Sequence, residues 1–295
     1  MANIHRLNDD GFDRRLRLGF SNLNQNQVLD PNLKIPFVNQ APPEEQDPRK
    51  ESFWQMLKIN LCPSFKINSI TFSILAINAF IFILECYQTT GFSQSLLEIN
   101  QKSLIDMGAI VPIDIKLKGQ YYRILFAMFM HASFLHLLFN QFSLFIILSA
   151  IEYSYGLLYT SIIYLLSGIG GNMLATNFGY DYDIFVGCSG AVTGLLACVL
   201  SYFILNWNKL EVLGPMREYI LCIFILFMLL AFLFPGSTSI STYANLGGFL
   251  AGLFSGLAVP EPAQQGSYEK YSKIIGWVLL VTFFVTIILS FYIHQ

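Results

Sequence analysis

Charged side chains are scarce in this sequence of 295 residues. Asp, Glu, Lys and Arg together make up 12% of it, whereas an ordinary soluble domain carries roughly 25%. Apolar residues make up 54%, and they are gathered in long runs that contain no charge. This composition excludes an ordinary soluble globular chain and indicates a protein whose main solvent is the lipid bilayer.

Several signatures of ligand binding are also missing. The sequence has no Cys/His cluster, no glycine-rich phosphate loop and no strong basic stripe, so it predicts no metal, no cofactor and no nucleic-acid partner. The five cysteines lack metal-ligand spacing and are interpreted as packing residues: Cys62, Cys86, Cys188, Cys198 and Cys222. No cleavable signal precedes the first apolar run, so the first span is expected to act as the signal anchor.

The distribution of apolar residues predicts five successive parts. Residues 1–52 are polar and have no sustained period, which indicates a disordered cytosolic segment. Residues 53–66 mix aromatic, aliphatic and basic side chains and are expected to lie in the membrane interface. A core of six spans is expected over 67–260, followed by a cytosolic linker over 261–273 and a seventh span over 274–292.

Seven apolar segments define the spans, and together they predict an all-α, polytopic membrane fold. Each approaches the ~20 residues that a helix needs to cross a hydrocarbon core of ~30 Å. The segments run approximately over 67–86, 134–151, 157–177, 187–206, 219–235, 242–259 and 274–292.

Lysine and arginine positions predict the orientation. If the N-terminus is cytosolic, the cytosolic side receives nine of them before residue 67, two in 207–218 and two in 260–273, which is thirteen of the seventeen. The other four lie in the long loop between the first two spans. Because short cytosolic loops are enriched in these residues, we expect a cytosolic N-terminus and a lumenal or extracellular first loop. The expected location is the endomembrane system or the plasma membrane.

Three polar clusters interrupt the apolar segments, and all are expected at similar depth near the outer side. His136 and Asn140 are four apart near the start of the second span, so they share one helix face, with Ser133 as a plausible N-cap. Ser189 opens the fourth span and Asn245 lies just inside the sixth. Polar groups at membrane depth are expensive unless they are partnered or functional, so the clusters are candidates for one site.

Rows of glycine predict how two of these clusters could meet. Gly190 and Gly194 are four apart on the fourth span, and Gly248, Gly252 and Gly256 are four apart on the sixth. Small residues at this spacing allow helices to approach closely in lipid. Close approach would place position 189 next to position 245.

Together these motifs resemble the rhomboid intramembrane serine proteases. The resemblance extends over residues 67–292, and the extra span after a six-helix core is similar to the secretory-pathway branch of that family. The motifs that carry it are, in order, Tyr122-Arg123, His131, His136, Asn140, Glu152, Gly156, Ser167-Gly168, Gly187-Cys188-Ser189-Gly190 and Ala244-x-x-x-Gly248-x-x-x-Gly252.

The resemblance implies a role for each matched residue. Ser189 would be the nucleophile, and His136 and Asn140, with the Ser189 amide, would stabilise the oxyanion. Such donors contribute roughly 2.7–4 kcal/mol each where charge develops. Arg123 would anchor the first loop and Glu152 would hold the cytosolic turn. The matched positions with structural roles are Arg123, His131, Glu152, Gly190, Gly194, Gly248 and Gly252.

The sequence departs from the family pattern at the base. Where the family has a histidine in the sixth span, this chain has Asn245. A carboxamide can orient a hydroxyl but cannot take its proton, so the leading hypothesis is an inactive rhomboid that binds transmembrane clients within the bilayer.

Two alternatives stay open. The first is an active rhomboid endopeptidase cleaving single-span proteins, through an unusual base or because Asn245 is an engineered or erroneous residue. The second is a channel or transporter, which the absence of a charged residue in mid-span and of evident inverted repeats disfavours. The sequence identifies neither the client nor the oligomeric state.

Overall fold

The computed structural model describes residues 67–89, 98–213, 216–233, 242–261 and 266–293. The predicted disordered segment 1–52 and interfacial segment 53–66 lie outside the described residues. The described chain forms nine α-helices, with short 3₁₀ turns at Ala127–Phe129 and Lys209–Leu213. The helices are α1 (Ile70–Gln88), α2 (Gln101–Met107), α3 (Pro112–Lys118), α4 (Tyr122–Phe126), α5 (Phe134–Phe178), α6 (Ser189–Asn206), α7 (Met216–Leu233), α8 (Thr242–Ala258) and α9 (Ser267–Ile293).

The all-α fold class is confirmed. In the part of the chain that the structure describes, β-pairing is limited to one isolated bridge between Ile110 and Phe185. The long helix α5 is interrupted at Gly156, whose φ of 79° and ψ of 171° are not helical. This glycine divides α5 into residues 134–155 and 157–178, at the position predicted for the turn between the second and third spans. A positive φ of this kind favours glycine because a side chain would clash with the backbone.

Each of the seven predicted apolar segments contains a helix in its described part. By length and composition, four of the described helices could cross a membrane: α1, α5, α6 and α9. The count of seven spans therefore stays a prediction. The last helix begins at Ser267, seven residues before the predicted 274. The prediction followed the apolar run, which starts after Lys270 and Lys273, but the helix includes both lysines.

The centre of the bundle is α6, of which 83% of the residues are buried inside the protein. On one side it packs against α8 through the predicted glycine rows. A Cβ atom built on Gly248 would overlap the carbonyl group of Gly190, and one on Gly252 would overlap that of Gly194. The Ser201 hydroxyl also donates a hydrogen bond of 2.7 Å to the Leu253 carbonyl across the same interface. Only glycine permits this backbone-to-backbone approach.

Candidate functional site

The first wall of the candidate site is the first turn of α5. The Ser133 hydroxyl accepts a hydrogen bond of 3.2 Å from the His136 amide, which confirms Ser133 as the N-cap. His136 and Asn140 both lie beside Gly187. A Cβ atom on Gly187 would stand 2.9 Å from His136 Nε2 and 3.8 Å from Asn140 Nδ2. The structure thus brings both predicted oxyanion residues to the segment that leads into Ser189.

The second wall is the start of α6, which begins at Ser189 with Cys188 as its N-cap. Gly187 has a φ of 119° and donates its amide to the Ala127 carbonyl at 2.8 Å. A side chain at Gly187 would be strained by this φ and would also meet the His136 ring. Glycine at 187 therefore lets the chain turn tightly below His136 and deliver a half-buried Ser189 to the helix start.

The third wall is α8, which carries Asn245. A Cβ atom on Gly190 would lie 2.9 Å from the Ala244 carbonyl oxygen, so the residue after Ser189 contacts the residue before Asn245. Asn245 is 5% exposed. That the Ser189 hydroxyl and the Asn245 carboxamide lie within about 6 Å, the reach of one bridging water, stays a prediction.

Two of the candidate site residues, His136 and Asn245, carry buried polar atoms without partners in the part of the chain that the structure describes. Among the described residues, both ring nitrogens of His136 and the Oδ1 atom of Asn245 lack a hydrogen-bond partner. An unsatisfied buried polar group costs about 1–3 kcal/mol, and packing alone gives no reason to keep two such residues here. These atoms therefore have hydrogen-bonding capacity that no described residue uses, and each of them is buried.

Comparison with known proteins decides the family. The rhomboid domain family matches residues 118–261. Inactive rhomboid protein 1 of Danio rerio is 32% identical over 196 residues, which is 64% of this chain and 22% of that protein. Rhomboid-like protease 1 of Toxoplasma gondii is 31% identical over 197 residues, 67% of this chain and 66% of that protein. The chain belongs to the rhomboid family.

The relatives of this rhomboid fall into two kinds. RHOMBOID-like protein 5 of Arabidopsis thaliana is 27% identical over 237 residues, 80% of this chain and 72% of that protein. One relative is named as inactive and another as a protease, so membership alone does not decide activity. Together with the apolar helices, the family makes the chain an integral membrane protein with a polytopic helical fold.

His131 lies behind the candidate site. It is completely buried, its ring lies edge-on to that of His136 with centroids 5.3 Å apart, and its Nε2 is 3.7 Å from Cys188 Sγ. These contacts give His131 a packing position between the first turn of α5 and the start of α6.

Arg123 and Glu152 fasten opposite ends of the bundle. The buried Arg123 guanidinium donates to the carbonyl groups of Ile105 at 2.8 Å and Ala109 at 2.7 Å, and so ties the first loop together. The Glu152 carboxylate accepts from the Ile70 amide at 2.9 Å and from the Thr71 hydroxyl at 2.7 Å. It thereby holds the start of α1 to the turn before Gly156.

Two polar residues of α1 contact the candidate site and were not predicted from the sequence to do so. Asn78 and Glu85 are both 0% exposed, and both contact the neighbourhood of Cys188 and His131. They are seven apart in an otherwise apolar segment and therefore share a helix face. This spacing of two polar residues in an apolar segment indicates a buried polar face, which the interpretation of α1 as a signal anchor alone does not include.

Two observations on the described residues concern ligand sites elsewhere in the protein. It contains no group of three or more His, Cys, Asp or Glu residues placed to hold a metal ion. A cavity of about 280 Å³ lies between α4, α5 and α9, with Tyr121, Met173, Asn177 and Phe291 in its wall. None of the candidate site residues lines this cavity.

Proposed function

We propose that this rhomboid is an inactive member of its family that binds transmembrane clients at the Ser189 site without cleaving them. The observation that carries the proposal is Asn245, a buried carboxamide with an unpartnered oxygen at the position where the family pattern has the base histidine. Ser189, His136 and Asn140 are retained around it. The chain therefore keeps the frame of a serine protease site and lacks its proton acceptor.

The missing base has a predictable chemical consequence. Removing a base that works as a unit with its serine lowers the rate by about 10⁴–10⁶. A substitute among the described histidines would have to be His131 or His136. The His131 ring packs against Cys188, and His136 lies against Gly187, where the family pattern uses it for the oxyanion. The contacts of both rings are therefore unlike those of a base that would accept the Ser189 proton in place of a histidine at position 245.

Client binding is supported by the same unpartnered atoms. A transmembrane client that unwinds locally exposes amide and carbonyl groups, which are costly in hydrocarbon unless they are partnered. We propose that the His136 nitrogens and Asn245 Oδ1, which are buried in the structure, provide such partners when a client is bound. Exposed apolar side chains on the same part of α5, including Phe139 at 69% and Phe142 at 60%, provide a surface for an apolar client helix.

Capture of a client in a bilayer tests the binding half of the proposal. The full chain, reconstituted in nanodiscs, is expected to retain a single-span reporter peptide above the level of empty nanodiscs. Ser189→Ala is expected to retain it equally, because the hydroxyl is not needed for binding. Retention no greater than that of empty nanodiscs would contradict the proposal.

The second candidate function is intramembrane proteolysis. It is favoured by the retained Ser189 and by similarity to a relative named as a protease. In that case the client would be a substrate at the same site, and another group would act as base.

We further propose that the N-terminus is cytosolic and that the first loop, 87–130, is lumenal or extracellular. The support is the distribution of lysine and arginine, thirteen of seventeen on the expected cytosolic side. The six-span core 67–260 and the seventh span then place the outer side at the Ser189 end of the bundle, within the endomembrane system or plasma membrane.

We expect a single cysteine placed near Lys116, at the exposed position of Lys118, to be labelled by an impermeant reagent only from the lumenal or extracellular side. The physical reason is the retention of positively charged loops in the cytosol during insertion. A cysteine at Lys273, in the predicted cytosolic linker 261–273, serves as the opposite control in the same cysteine-free background. Labelling of position 118 from the cytosol alone would reverse the proposed topology.

A further inference from the structure

Helix α1 carries one buried face, formed by Thr71, Ile74, Asn78, Phe82 and Glu85. Thr71 is bound to Glu152 at one end of the bundle, and Ile74 and Phe82 pack in apolar clusters. Asn78 and Glu85 are polar and 0% exposed. Buried polar groups are stabilised only by specific partners, so the partners of these two side chains show what they hold.

Glu85 holds the backbone just before α5. Its two carboxyl oxygens each lie 3.2 Å from the His131 amide, which donates to them. His131 in turn contacts Cys188 Sγ at 3.7 Å and packs edge-on against the His136 ring. A shift of the Glu85 carboxyl would therefore reach both His136 and the residue preceding Ser189.

Asn78 contacts the same cysteine, Cys188, that His131 contacts. Its Nδ2 atom lies 3.9 Å from Cys188 Sγ and 3.3 Å from Gln141 Oε1, to which it donates. Gln141 closes the link by donating its own Nε2 to the Leu75 carbonyl at 2.7 Å. The Cys188 side chain is thus held between Asn78 of α1 and His131.

Cys188 is the N-cap of α6, so its position sets where Ser189 begins the helix. We infer that Asn78 and Glu85 are positioning residues, which act through Cys188 and His131 to fix the Ser189 hydroxyl relative to His136. The inference rests on the proposed function in one respect: it assumes that this neighbourhood is the working site. Helix α1 then belongs to the site as well as to the membrane anchor.

Alkylation of the native cysteines tests the inference without relying on catalysis. The full chain in detergent is treated with N-ethylmaleimide, and each cysteine is followed by peptide mass spectrometry. Cys222 is exposed and reports reagent activity, whereas Cys188 and Cys198 are both completely buried in α6 and at its cap. A rise in Cys188 alkylation alone reports a local loosening around Cys188. A rise at both Cys188 and Cys198 reports a general opening of the bundle.

Asn78→Leu and Glu85→Leu are each expected to raise the Cys188 alkylation rate about tenfold and to leave Cys198 unchanged, because each removes a buried hydrogen bond near Cys188. Glu85→Gln keeps an acceptor for the His131 amide and is expected to restore the parent rate. Thr71→Val is the matched control, since it removes a hydrogen bond from the other end of α1. It should lower the melting temperature without changing the Cys188 to Cys198 ratio.

A second readout follows Ser189 itself. In an Asn245→His background, Glu85→Leu is expected to slow fluorophosphonate labelling of Ser189 about tenfold, with Glu85→Gln restoring it. Equal rises at Cys188 and Cys198, or no rise at either, would overturn the inference. If Asn245→His itself gives no labelling, the site departs from the family arrangement at more than position 245, and the cysteine ratio still decides whether Asn78 and Glu85 hold Cys188.

Discussion

Asn245→His is expected to raise cleavage of a single-span reporter by about 10²-fold or more over the unmodified protein, because general base catalysis contributes about 10²–10⁴. An imidazole with an ordinary pKa of ~6.5 can accept the Ser189 proton near neutral pH, which a carboxamide cannot do. The two side chains are close in size, and Asn245 sits beside the Gly190–Ala244 contact that brings α6 and α8 together. Full recovery is not expected, since catalysis needs one tautomer of the ring and a pocket that holds a carboxamide is not built to fix it.

The gain is measured in liposomes, together with labelling of Ser189 by a fluorophosphonate. Ser189→Ala in the Asn245→His background should abolish both signals, and Asn245→Gln should gain neither, because it changes the size of the side chain without adding a base. A lack of gain in both assays would mean that the site departs from the family arrangement at more than position 245.

Gly252→Leu is expected to destabilise the packing of α6 against α8. A Cβ atom at this position overlaps the Gly194 carbonyl, which is backbone and cannot move aside as a flexible side chain could. Overpacking costs about 1–3 kcal/mol and more where backbone must shift, so we expect the melting temperature to fall by roughly 10 °C or the protein to fail to accumulate. Leu246→Phe, on the exposed side of α8, adds volume to the same helix and should leave the melting temperature within about 2 °C. A similar stability for both variants would contradict the close packing of α6 and α8.

The helices and their glycine contacts could be predicted from the sequence because both depend on local pattern. Apolar runs mark the helices of the seven predicted spans, whereas the short helices α2, α3 and α4 of the first loop were not predicted. The spacing of Gly190 and Gly194 against Gly248 and Gly252 indicates which helices meet. Ser133 was recognisable as a cap because a serine at that position has a defined local partner in the His136 amide. These features need no knowledge of distant contacts.

The rest could not be predicted because it depends on pairs far apart in the chain. Glu85 meets the His131 amide across 46 residues, and Asn78 meets Cys188 across 110. Neither partner could be predicted from a sequence motif, since one is the backbone amide of His131 and the other is the single cysteine Cys188. The extension of α9 back to Ser267 was missed for a different reason: its charged first turns end the apolar run but not the helix.

The central claim is that this rhomboid keeps its serine and lacks its base. The most direct test is cleavage of a single-span reporter by the unmodified full chain in liposomes, compared with Ser189→Ala. The account predicts that the two proteins are indistinguishable, with no product above the level of protein-free liposomes. Robust cleavage by the unmodified protein that disappears in Ser189→Ala would contradict it and would show that a group other than residue 245 activates Ser189.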